Sequence, residues 1–173
     1  MRYPAFASTC ITLLRPILPA GGCIRRASIA FFGRIPHVRK IWDAYRPHAA
    51  TRLMWELVHD ERYVANPAKG SGHNRGLAVD LTLMDSRTGR ELDMGTGFDN
   101  FTDTAHADYS NLPPAVLANR LKLRRAMEAE GFTVLATEWW HFYWPNDRNY
   151  EVMDLGFGAI LREYRKRNKG NRE

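Results

Sequence analysis

Cysteine is scarce. The 173-residue chain holds two, Cys10 and Cys23, both near its start and outside any Cys-x-x-Cys pattern, which excludes a zinc ribbon or a disulfide framework as the organising element. Long apolar runs are missing too: nothing approaches the roughly 18–20 residues of a membrane-spanning helix, so no integral membrane segment is expected. There is no internal repeat and no low-complexity linker. Acidic residues are few at the N-terminus, where residues 1–47 carry eight Lys/Arg against one Asp; residues 48–141 carry ten against thirteen, and residues 142–173 seven against five. The net charge of +6 is therefore a property of the ends. No recognition-helix or aromatic-stacking motif accompanies it, which argues against a nucleic-acid partner. Residues 1–23 have a basic start and finish in Ala-Gly-Gly-Cys, but Arg15 and three prolines interrupt the apolar core of a signal peptide. A cytoplasmic location is favoured over a periplasmic or exported one. Nothing in the pattern speaks to oligomeric state.

The length is that of one domain able to bury its own core. Residues 1–36 are punctuated by Pro4, Pro16, Pro19, Pro36 and Gly21-Gly22 and show no sustained period. Val38 to Pro47 reads as a strand stopped by Pro47, with Arg46 at its end. Ala49 to Val58 places Leu53, Met54, Leu57 and Val58 on one helical face. "LAVDLTLM" alternates, with Leu77, Val79, Leu81 and Leu83 on one side and Ala78, Asp80 and Thr82 on the other, leaving room beside Asp80. A hairpin turn is expected around Thr88-Gly89, and a helix over 113–130 that begins in proline and stops at Gly131. A β-prone aromatic run, "FTVLATEWWHFYW", follows. These elements predict an α+β fold: one domain, a mainly antiparallel sheet and flanking helices.

The chemistry-bearing residues are His73, Asp80, Glu138 and His141. Each has a bland reading. His73 follows Gly-Ser-Gly as a turn residue would; Glu138 and His141 fit the outward face of an edge strand; Arg46 fits a solvated side chain or a salt-bridge partner for Asp80. Asp80 is the odd one, because a carboxylate buried without an arginine or a metal costs several kcal/mol. The alternative is a zinc site, with His73, Asp80 and His141 as three ligands, the fourth position left to water, and Glu138 as the base. Residues three apart in a regular strand face opposite ways, so that alternative requires a bend at Thr137–Trp139 or a strand beginning there.

"SGHNRGLAVDLTL" and "TEWWHFYW", together with "WDAYRP", "MGTGFDNFTDTAH" and "LANRLKLRRAMEAEGF" in that order, resemble the D-alanyl-D-alanine dipeptidases, zinc peptidases with a hedgehog-like fold. The resemblance spans about residues 40–144. It implies one Zn2+ per chain on His73, Asp80 and His141, Glu138 as general base and acid, Arg46 as stabiliser of the oxyanion, and Asp99 and Ser71 as substrate-binding residues. It also implies a small substrate, the D-Ala-D-Ala dipeptide of cell-wall peptidoglycan metabolism, and a small cavity for which Trp139, Trp140 and Phe98 are candidate walls or simply core. Two other readings stand beside it: a D,D-carboxypeptidase or endopeptidase on longer cell-wall peptides, and a catalytically silent zinc-binding module. The expected organisation is an atypical, shortened segment over 1–37, a catalytic domain over 38–160 and a basic tail over 161–173.

Overall fold

The computed structural model describes residues 37–169. Nearly all of the segment expected to be atypical, with both cysteines, lies outside the described residues, as do positions 170–173 of the basic tail. Four strands form one antiparallel sheet in the order β1-β2-β4-β3: β1 (His37–Asp43), β2 (Ala78–Asp85), β3 (Thr133–Leu135) and β4 (Glu138–Tyr143). Among the described residues three α-helices accompany them: α1 (His48–Leu57), α2 (Pro114–Glu128) and α3 (Phe157–Lys169). The α+β architecture is the one expected.

β2 is one of the two interior strands, with β4, and its composition explains that position. Val79, Leu81 and Leu83 enter the core, where they join Leu123 and Met127 of α2 and Phe142 of β4. On α2, Val116, Arg120, Leu123 and Met127 are the buried positions, a helical stripe facing inward. The second face of β2 is covered as well: Ala78, Asp80 and Thr82 are all buried, with strands paired along both edges of β2 and the turn before it folded back over its start. Gly72 makes that approach possible: a Cβ there would meet the Ala78 Cβ at 3.0 Å.

Two irregularities shape the sheet around Asp80. Ile41 pairs with Leu81 and Asp43 with Asp80, so β1 carries one extra residue, Trp42, against β2. Such a bulge re-aims the side chains beyond it. It ends β1 at Asp43, so the strand is shorter than the one expected through Pro47, and Arg46 lies in the connection to α1. The second irregularity lies in the β3–β4 hairpin, where Val134 pairs with Phe142 but Leu135 pairs with Glu138. Four steps along β4 oppose one along β3, and β4 itself begins at Glu138.

The remaining boundaries follow local chemistry. α2 starts at Pro114 and gives way to Gly131, whose φ of +88° and close packing on the Trp144 ring, 3.1 Å from a would-be Cβ, exclude a side chain. The turn after β2 lies at Thr88-Gly89, with Asp85 Oδ1 accepting from the backbone N–H of Arg87 and Thr88 and Leu92 N–H donating to Leu83 O. The division drawn between 160 and 161 falls inside α3, so the basic stretch through Lys169 continues a helix. Its Arg162, Arg165 and Lys166 are exposed.

Candidate metal centre

Cross-strand pairing brings the first two groups together. Asp80 of β2 stands opposite His141 of β4, and directly paired residues share a face, so carboxylate and imidazole converge with His141 Nδ1 2.9 Å from Asp80 Oδ1. The third group arrives from a 3₁₀ turn, His73–Arg75, held over the start of β2. His73 Nε2 lies 3.4 Å from Asp80 Oδ2 and 3.2 Å from His141 Nδ1. One donor atom from each of His73, Asp80 and His141 falls within 4.8 Å of the others.

Two observations show that this trio fits a metal. His73 Nδ1 is 2.7 Å from Ala44 O; a carbonyl only accepts, so Nδ1 carries the proton and the Nε2 lone pair points at the cluster, the tautomer that outer hydrogen bonds impose on metal-ligating histidines. Asp80 Oδ1 is buried without a hydrogen-bond partner even though His141 Nδ1 approaches to 2.9 Å, so the contact has ion-pair proximity without hydrogen-bond direction. Two imidazole nitrogens and an unsatisfied carboxylate oxygen directed at one point are a donor set that zinc accepts. The cluster meets solvent through His141, whose side chain is 15% exposed against 5% for Asp80.

The electrostatics reflect how closely the three groups approach. Burial alone would raise the Asp80 pKa, but His73 and His141 outweigh it and hold the carboxyl well below the usual range. Burial likewise works against a charged His73, and the carboxylate of Asp80, with a smaller contribution from Asp43, overcomes it and raises the imidazole. Glu138, at the start of β4, is buried, with Oε2 3.9 Å from His141 Nδ1. The strand start and the hairpin irregularity together let residues three apart approach one point. Burial, then the negative charge of Asp80, push the Glu138 carboxyl up to about 8.

Arg46 does not pair with Asp80. Its Nε and one terminal nitrogen bond Asp43 Oδ2 at 2.7 and 2.6 Å, while Asp43 Oδ1 accepts from Ala44 N–H. The Arg46 backbone is tied to the 3₁₀ turn: Arg46 N–H donates to His73 O at 3.2 Å, and the fully buried Asn74 donates through Nδ2 to Arg46 O and Thr51 Oγ1. Ser71 closes this unit, its N–H donating to Asn74 Oδ1 and its Oγ accepting from Asn74 N–H. Asp99 sits at a left-handed φ of 56°, which is strained for a non-glycine residue. The residue as a whole is exposed, yet its carboxyl is partly desolvated; that burial and then the charge of Asp80 push its pKa up to about 6, with Arg46 opposing.

Sequence reasoning passed over Asp43, Asn74 and Arg120. Asp43 had a signal, three residues ahead of Arg46. Asn74 and Arg120 had none that separates them from surface polar residues. Buried Arg120 bonds the carbonyls of Met94, Thr104 and His106 and so fixes the loop that carries Asp99. Of the candidate wall residues, Trp139 and Trp140 are buried in the core, and Phe98 packs against it.

Comparison with known proteins agrees with this geometry. The sequence profile of the D-ala-D-ala dipeptidase family matches residues 27–156. A D-alanyl-D-alanine dipeptidase from Escherichia coli (strain K12) is 43% identical over 121 residues, covering 70% of this chain and 62% of that protein. One from Streptomyces coelicolor is 37% identical over 120 residues, 59% of each chain, and one from Enterococcus faecalis is 33% identical over the same length, again 59% of each. The chain thus spans about three fifths of the length of the curated relatives it matches. The family match covers most of the chain and contains the three converging donors, Glu138 and Arg46; this protein belongs to the D-ala-D-ala dipeptidase family.

Proposed function

We propose that this chain is a zinc-dependent dipeptidase that hydrolyses D-Ala-D-Ala to two D-alanines, with His73, Asp80 and His141 holding the ion. The observation that carries the reading is the position of Glu138, a buried carboxyl with Oε2 3.9 Å from His141 Nδ1. A metal that only staples a fold has no use for an uncoordinated acid beside it. Zinc in this cluster supplies Lewis acidity, polarising the scissile carbonyl and acidifying water.

The chain's own groups do the rest. Glu138 Oε2 accepts the proton of the attacking water and delivers it to the departing amine nitrogen, one carboxyl serving both transfers. Arg46, its guanidinium fixed by Asp43, faces the charge that develops on the carbonyl oxygen; that charge exists only on the way to the tetrahedral state, so the contact lowers the barrier more than it tightens binding. Asp99 receives the substrate's ammonium and Ser71 lines the site, both as substrate-binding groups. A dipeptide zwitterion presents the charges this arrangement complements.

The test is to incubate the purified protein with D-Ala-D-Ala, L-Ala-L-Ala and a pentapeptide ending in D-Ala-D-Ala, with and without chelator, and to measure free D-alanine. Chelator-sensitive release from D-Ala-D-Ala alone is expected, lost in Glu138→Gln while zinc content by mass spectrometry stays near one per chain. Release from the pentapeptide instead would assign a D,D-carboxypeptidase, and bound zinc with no release from any substrate would assign a silent module.

A further inference from the structure

We infer that Tyr45 is a positioning residue for the metal centre: its hydroxyl, bound to the main chain of Leu155, sets the backbone that grips His73 and carries Arg46. The inference rests on the zinc dipeptidase reading and deepens it, adding a group that touches neither the ion nor the substrate.

His73 is held at two points by the residues flanking Tyr45. Ala44 O accepts from His73 Nδ1–H at 2.7 Å, and Arg46 N–H donates to His73 O at 3.2 Å. The first bond orients the imidazole and the second fixes the main chain that carries it, so residues 44–46 act on the ligand as one cradle. Outer groups of this kind tune how tightly a metal is held.

The cradle lies between regular elements, since β1 stops at Asp43 and α1 starts at His48. Its side-chain anchor is Tyr45, which is 2% exposed. The ring meets Phe157 of α3 edge-on, with centroids 6.3 Å apart. The hydroxyl donates to Leu155 O at 3.0 Å and accepts from Leu155 N–H at 2.8 Å. A phenol bound in both directions to one residue has a defined depth as well as a direction; phenylalanine would serve a fold that needed only an aromatic ring here.

Leu155 is a firm anchor because the segment before it is tied back to the site. Tyr150 O accepts from Arg75 Nε at 3.0 Å, and Asp154 Oδ1 accepts from Ala49 N–H at 2.7 Å. Met153 N–H donates to Asn74 O at 3.0 Å, while Met153 O accepts from His48 N–H at 3.1 Å. The bonds close a circuit that runs from His73 to Ala44, through Tyr45 to Leu155, back along the chain to Met153, and through Asn74 to His73. The Tyr45 hydroxyl is the one side-chain link in it that a substitution removes without removing the ring.

The experiment compares the wild type with Tyr45→Phe, which keeps the ring and deletes the hydroxyl, and with Leu155→Pro, which deletes the N–H on the other side of the same contact. Phe132→Leu, a truncation of a buried residue after α2, is the destabilised control. The apparent Zn2+ Kd is measured by competition with a chromogenic chelator, the d–d absorption of Co2+-loaded protein is recorded, and kcat and KM are measured on D-Ala-D-Ala at saturating zinc. In Tyr45→Phe the zinc Kd is expected to rise about tenfold and the Co2+ bands to change with it. Its kcat should fall about tenfold with KM changed less than about twofold, because Arg46 shifts with the cradle and acts on the transition state. Phe132→Leu should lower Tm and leave the Kd and the Co2+ bands unmoved. A Kd in Tyr45→Phe within about twofold of wild type, or an equal loss in Phe132→Leu, overturns the positioning role; should Tyr45→Phe not fold, Leu155→Pro decides it on the same readings. A wild type that binds zinc yet does not cleave D-Ala-D-Ala overturns the dipeptidase reading alone, because the Kd comparison still decides the role of Tyr45.

Discussion

Replacing Asn74 by alanine tests how Arg46 and His73 are held in one frame. The Asn74 side chain is fully buried and makes three hydrogen bonds: Nδ2 to Arg46 O at 2.9 Å, Nδ2 to Thr51 Oγ1 at 2.8 Å, and Oδ1 from Ser71 N–H at 2.9 Å. Thr51 is itself fully buried, so the truncation strands its hydroxyl with little access to water. At about 1 kcal/mol for each bond lost, the variant should be less stable by roughly 3 kcal/mol. For a chain of this length that lowers Tm by about 6–12 °C. The catalytic consequence is separate. Arg46 keeps its ion pair with Asp43 but loses one tie of its backbone to the 3₁₀ turn, so kcat should fall more than KM changes, at temperatures where the variant is fully folded. Thermal unfolding and steady-state kinetics on the same preparations check both parts. A Tm within about 2 °C of wild type, which corresponds to less than about 1 kcal/mol, would refute the claim that this buried amide joins the two halves of the site.

Arg46→Ala should lower kcat roughly 100- to 1,000-fold with KM little changed, and Asp43→Asn should reproduce part of that loss, since the amide keeps the shape but not the charge; kcat and KM measured separately decide it. Zinc at about 100 times its Kd should stabilise the wild type by about 2.7 kcal/mol and should leave the Tm of Asp80→Asn nearly unmoved, read by calorimetry with and without the ion. Asp99 gives a pH signature. Its folded-state pKa, about 6, lies above its ordinary 3.8, so folding favours its protonated form; the destabilisation from its charge is absent at low pH, grows as pH rises from 3.8 through 6, and is constant beyond. Asp99→Asn should therefore be more stable than wild type at pH 7, with the gap closing by pH 4 in denaturant titrations. If Asp99 receives the ammonium as proposed, the wild-type KM for the dipeptide should rise as pH falls below about 6, where its carboxylate is lost.

The local elements were legible because their causes are local. Alternation marks β2 whatever it packs against, Pro113-Pro114 and Gly131 bracket α2, and Leu53, Met54 and Leu57 place a helix within a residue of where α1 forms. The odd placement of Asp80 among apolar neighbours was legible too, since a buried carboxylate needs a partner in any fold. The identity of that partner was open to several readings from residue pattern alone, and Arg46 was among the candidates. Arg46 instead pairs with Asp43, because β1 stops at Asp43 and leaves Arg46 three residues on in the connection to α1. Gly72 lets the preceding turn close onto Ala78, which brings His73 to Asp80.

Sequence by itself determined which side chains have the chemistry to bind a cation and move a proton, since ligand type and acidity belong to the residue. Tertiary structure decided which of them meet. The register of β2 against β4 sets His141 beside Asp80, the 3₁₀ turn sets His73 above both, and the irregular β3–β4 hairpin swings Glu138 toward them. These are long-range pairings fixed by how the sheet buries its apolar face, and no local pattern of residues encodes them.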